Sequence, residues 1–184
     1  MKTRLFFLMV FLAILALQAC TQRKVVSDYN YQKAVDAFFE DKDDDNALKP
    51  VNKQLDETPD HLDSRFLRAK IYWRVDKYDA ALRDLSYAIK HYKGKPSVYK
   101  STLFGLQGAI YDDMERFADA VDSYRQAIKF AKKDNPDRIQ SYKFDLAQSL
   151  YNAKDLNGAE KVYFDMLKDD PGDGVQWLVW LVTD

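Results

Sequence analysis

The sequence predicts an all-α protein assembled from repeated helical hairpins, and three observations carry that prediction. Apolar residues recur at the 3.6-residue period of a helix from about residue 28 almost to the end, broken by short polar turns. Residues 77–92, KYDAALRDLSYAIKHY, return 39 positions later as RFADAVDSYRQAIKFA at 116–131. Six glycines and five prolines in 184 residues are too few for a turn-rich β protein. An apolar fraction of 47% supplies a core for one domain of ordinary size. The formal charge of −1 leaves no basic field, so no nucleic-acid partner is expected.

Taken in order, residues 1–19 read as an export signal. Lys2 and Arg4 form a positive start, residues 5–17 an apolar stretch of thirteen, and Leu17, Gln18, Ala19 and Cys20 follow at once. Thirteen helical residues reach about 20 Å, short of the ~30 Å hydrocarbon core, so a permanent transmembrane helix is the weaker reading. Removing the leader's two basic residues takes the formal charge from −1 to −3. Cys20 is the only cysteine, so no internal disulfide can form. This segment resembles a bacterial lipoprotein lipobox, which implies that Cys20 is acylated and becomes the new N-terminus. The resemblance further implies outer-membrane placement, because Thr21 rather than aspartate follows the cysteine. Gln22, Arg23 and Lys24 lack an acidic run, so the domain is expected to face the periplasm, behind a lipidated tether at 20–27.

Four copies of one spacing rule follow, in which three, nine and seven residues separate four marked positions. They are Val35, Phe38, Ala47 and Gln54; Ala69, Tyr72, Ala81 and Ala88; Gly108, Tyr111, Ala120 and Ala127; Ala147, Leu150, Ala159 and Met166. Pro59 and Pro171 close the first and fourth. These residues resemble the tetratricopeptide repeat, a 34-residue pair of antiparallel helices. The resemblance implies a right-handed superhelical array with units at about 28–61, 62–96, 97–136 and 137–173. Small residues at the marked positions let helix backbones approach, and each hairpin leaves an apolar face for its neighbour to cover.

The steps between copies are 34, 39 and 39 residues, so the second and third units carry five extra residues each. Those residues are expected to lengthen the helices near Pro96 and Ser97 and between Lys132 and Pro136. Asp79, Asp119 and Asn157 are placed to cap second helices, and Ser97 and Asp137 first helices. Arg68 and Gln107 stand where the family has an apolar residue, which puts the local rotation of those helices in question. The final stretch, 174–184, is apolar on every side and departs from a capping helix with a polar outer face. It reads either as a segment tucked into the last groove, the start of a partial fifth repeat, or as a patch for homo-oligomer or partner contact through Trp177 and Trp180.

Chemistry is hard to assemble from what remains. His61 and His91 have no second ligand at metal spacing, and no nucleophile–histidine pair can be built. Asp41, Asp43 and Asp45 alternate like a calcium loop, but Asn46 replaces its glycine and Asn52 its glutamate. No enzymatic activity, metal or cofactor is expected. The aromatic excess is the better lead, because in the repeat family the first helix of each hairpin lines a concave groove. Carried over by the spacing rule, the partner-binding residues are Phe39, Phe66, Lys70, Trp73, Arg74, Asp112, Asp113, Phe144 and Tyr151. Gln32 and Asp36 replace the lysine and asparagine of the family's clamp for acidic peptide ends. The leading expectation is a scaffold that holds a segment or helix of another envelope protein in this groove. Glycan capture by exposed aromatics and a purely structural homo-oligomer remain the alternatives.

Overall fold

The computed structural model describes residues 29–40, 43–93 and 97–169. Cys20, the leader, the tether and residues 174–184 with Trp177 and Trp180 lie outside these. The described chain is helical and antiparallel throughout. Helix α1 covers 29–39, α2 Asp44–Glu57, α3 Leu62–Arg74, α4 Tyr78–Lys90, α5 Lys100–Asp113, α6 Phe117–Asp134, α7 Ile139–Asn152 and α8 Leu156–Asp169. Each odd helix and its successor form a hairpin, and no strand occurs among the described residues. Nor is any described helix long and apolar enough to cross a membrane.

Three of the hairpin turns share one device that the sequence hides. Asp76, Glu115 and Lys154 adopt positive φ of 57°, 56° and 66°. Around each, two amides fold back onto the preceding helix: Lys77 N to Tyr72 O at 2.8 Å and Asp76 N to Trp73 O at 3.1 Å, with the same pattern at 115–116 and 154–155. These are Schellman closures, in which a left-handed residue lets the last free carbonyls find donors. Glycine is the usual occupant, and its absence here is why the spacing alone did not reveal them.

The small marked positions are where the backbones meet. Ala47, Ala69, Ala81, Ala88, Ala120, Ala127 and Ala147 are wholly buried and Ala159 is 1% exposed. A Cβ added at Gly108 would sit 2.7 Å from Cε1 of Tyr124, and one at Gly105 2.5 Å from Cε1 of Tyr142. The core accordingly divides into three clusters, each running across a boundary between hairpins. One joins α1 and α2 to Leu67 and Ile71 of α3, one joins α3 and α4 to Leu103 and Ile110 of α5, and one joins α6 to α7 and α8.

Three expectations need correction. The extra residues of the third unit do lengthen a helix, since α6 has 18 residues, but α4 has only 13 and its unit's surplus lies in the connection to α5. Of the expected caps, Asp79 and Asp119 make no cap bond, because Lys77 and Arg116 occupy the cap positions and Asp119 instead pairs with Arg116 at 2.7 Å. The capping groups are Asp43 on Asn46 N, His61 Nδ1 on Ser64 N and Asp155 on Gly158 N, at 3.0, 3.2 and 2.9 Å. Neither Ser97 nor Asp137 caps a first helix: Tyr99 precedes α5 without a side-chain bond, and Asp137 lies in the 3₁₀ turn Pro136–Arg138.

Arg68 does not rotate its helix, because its charge is met in place. Its Nε and Nη2 donate to the two oxygens of Asp84 at 2.7 and 2.8 Å, and Nη1 donates to Asn52 Oδ1 at 2.8 Å. Arg65 adds a third donor to Asp84 at 3.0 Å while its guanidinium lies 3.6 Å above the ring of Tyr87. Asp84 is only 4% exposed, so the group is a buried polar clamp binding α2, α3 and α4. Gln107 and Ser123 occupy the same two positions one unit later, with a single 3.5 Å hydrogen bond.

Candidate binding face

First helices touch one another along the array, α3 against α5 and α5 against α7, whereas α4, α6 and α8 make no such contact with each other. A stack joined along one side curves towards that side, so the odd helices form the inner face. Residues from two odd helices, α1 and α3, come together there. Phe39 is 55% exposed and meets Phe38 edge-on at 4.7 Å. The ammonium of Lys70 lies 4.5 Å from the Phe39 ring, 5.2 Å from Phe38 and 5.8 Å from Phe66. Burial, reinforced by the nearby Arg74, pushes the Lys70 ammonium below the usual lysine range. Tyr29, at the opposite end of α1, is 65% exposed.

Arg74 is committed elsewhere. Its Nε donates to Asp44 at 2.7 Å, Nη1 reaches the Phe38 carbonyl at 3.3 Å, and the guanidinium stacks 3.8 Å over Phe38, so it clasps α3 to α1 and α2. Trp73 packs half-buried on the second-hairpin core, and its indole Nε1 donates to Asp113 on α5 at 2.5 Å. Asp112 accepts the Ser149 hydroxyl of α7 at 2.8 Å. Burial raises the Asp112 carboxyl above the ordinary aspartate value and Asp113 adds to this, while the hydroxyls of Ser149 and Tyr124 oppose it. Phe144 and Tyr151 are half-buried against the fourth-hairpin core, with Phe144 edge-on to Tyr163 at 6.5 Å.

The nine predicted residues therefore fall into three places. Phe39, Phe66 and Lys70 form one aromatic–cation surface, with Arg74 behind it. Trp73, Asp112 and Asp113 tie α3 to α5 and α5 to α7. Phe144 and Tyr151 serve the last core. Spacing alone does not find Asp44, Asp145 and Ser149, whose partners come from other hairpins, nor Tyr124, whose ring lies against Gly108 across its own hairpin. Among the described residues no group of three His, Cys, Asp or Glu side chains is arranged to hold a metal ion.

No protein-family model matches the chain, and no curated protein matches it either. Solved structures do. The chain has a tetratricopeptide-type superhelical fold. It is similar to MamA residues 41–end from Desulfovibrio magneticus RS-1, with 16% identity, a TM-score of 0.64, and coverage of 77% of this chain and 74% of that one. Pseudomonas aeruginosa PilF aligns at 13% identity and TM-score 0.65 over 82% of this chain and 64% of its own. YrrB, described as a tetratricopeptide protein with an unusual peptide-binding site, aligns at 17% identity and TM-score 0.62 over 78% and 68%. At these identities the likeness concerns the fold.

Proposed function

We propose that the array is a periplasmic scaffold, anchored to the outer membrane through acylated Cys20, that holds a segment of another envelope protein against its inner face. The observation that carries this reading is the surface of exposed Phe39, Phe66 and Lys70. Apolar rings left open beside a partly desolvated cation are suited to a partner that buries the rings and leaves its polar groups at the edge. The peptide-binding site reported for YrrB, a neighbour in fold, supports the same use of the scaffold. The lipobox-like residues 17–20 support the anchor.

A photo-crosslinking residue at position 39 tests the surface in native envelopes. A discrete protein adduct is expected from position 39 and none from position 126 on α6. Equal labelling from both positions, or from neither, removes the inner face as the binding surface. Separately, Cys20→Ser should move the protein from the membrane fraction to the soluble periplasm.

A further inference from the structure

The three boundaries between hairpins are built from equivalent positions, and one of them departs in kind. At the first, Phe39, Val51, Leu67 and Ile71 occupy these positions; at the second, Trp73, Leu85, Leu106 and Ile110. Val51, Ile71, Leu85 and Ile110 are completely buried there. At the third boundary the same positions hold Asp112, Tyr124, Asp145 and Ser149. Four apolar side chains have become four polar ones, three of them ionisable, at a place the fold uses for packing.

The polar set is connected but short of positive charge. The Ser149 hydroxyl donates to Asp112 at 2.8 Å, and Asp145, one turn before Ser149 on α7 and repelled by the Asp112 charge, forms no ion pair among the described residues, nor does Asp112. Tyr124 of α6 is 3% exposed and hydrogen-bonds Asp112, and Asp113 stands beside Asp112 on α5. Arg138, in the turn before α7, is the cation that acts on Asp145 from a distance. The other charges of α6 and α8 that face α7, Arg125, Lys132, Asp165 and Asp169, line a separate groove around Lys143. Tyr163 of α8 is buried with an unbonded hydroxyl and carries no charge at neutral pH.

We infer that the boundary between the third and fourth hairpins is a proton-operated hinge, closed in mild acid and loosened towards neutrality, on which the α7–α8 hairpin swings against the rest of the array. In the closed state Asp145 holds a proton, so one neutral carboxyl and one carboxylate share the boundary. Raising the pH releases that proton to solvent and leaves two carboxylates facing each other in a partly dry place, which favours separation of α5 from α7. Burial, with Asp112 adding to it and Arg138 opposing, sets the Asp145 carboxyl at about 6, within reach of ordinary changes of environment. The other two boundaries have no ionisable group at these positions and stay closed.

The mature chain carrying Cys20→Ser is the sample, and amide exchange corrected for intrinsic rates is the first measurement. Between pH 5 and pH 7.5, protection in α7 and α8 should fall about fivefold or more, while α3 and α4 change less than about twofold. Asp145→Asn should abolish the difference. Asp112→Asn removes the repulsion from the other side and should do the same, which keeps the test open if one variant folds poorly. Carboxyl carbon NMR should find Asp145 titrating about two pH units above exposed aspartates. A uniform change across all helices, a pH dependence that survives both substitutions, or an ordinary Asp145 titration overturns the hinge.

Discussion

Gly108 and Gly105 hold α5 at separations where no β-carbon fits, each under the ring of a tyrosine from a neighbouring helix. Gly108→Ala is expected to cost about 1–3 kcal/mol, read as a lower urea midpoint, because Tyr124 is itself enclosed and cannot withdraw. Asp84 is the second critical side chain. Asp84→Ala strands Arg65 and Arg68 and should cost about 3–5 kcal/mol, whereas the double change Arg68→Met with Asp84→Leu should recover much of the loss. Positions such as Gly108 and Ala81 were legible in the sequence because they recur at fixed spacing. Arg68 was not, since the carboxylate that explains it lies 16 residues downstream on another helix. The candidate site divides the same way. Phe39, Phe66 and Lys70 could be placed by repeat phase, but Arg74 could not be recognised as occupied, because Asp44 belongs to a different hairpin.

Elements end where the chain can afford a left-handed residue. Asp76, Glu115 and Lys154 each accept positive φ at a cost of about 1 kcal/mol relative to glycine, partly offset by glycine's greater freedom in the unfolded chain. Lys154→Gly, at an exposed turn, is therefore expected to raise the melting temperature by a degree or two, measured by circular dichroism. The helices themselves were readable from period alone. Their termini were not, because His61 caps α3 through a residue type that rarely does so and Asp155, rather than the expected Asn157, caps α8, while the better-looking Asp79 and Asp119 do not cap. Of the five-residue surpluses, one continues α6 to 18 residues, whereas α4 ends after 13.

At the scale of the molecule, stability is carried by three clusters in series, so damage at one boundary should not spread evenly to the others. The fourth hairpin has two opposed responses to pH. Asp145 is raised to about 6, so its contribution is fully present below the unfolded aspartate value and lost as pH rises through the folded one. Asp169 is held below its ordinary value by Lys143, so its contribution is present at neutral pH and lost as pH falls through that depressed value. Unfolding of this hairpin should thus be hardest at about pH 4, where the Asp169 contribution is nearly complete and that of Asp145 is still largely present, and Asp145→Asn should move the optimum towards neutrality. Urea midpoints across pH 3–8 measure both. Nothing in the sequence marked Asp145, because its shift arises from burial between packed hairpins, with Asp112, 33 positions away, adding to it.

One consequence of the one-sided stacking is mechanical. Among the described residues α3, α5 and α7 approach one another and α4, α6 and α8 do not, so the convex side carries less helix-to-helix packing to disturb when the array bends. Such a body resists compression along its inner edge and yields in flexure, like a bow with its limbs free at the back. A load applied at one end is then borne as bending at the boundaries, and it gathers at whichever boundary is softest.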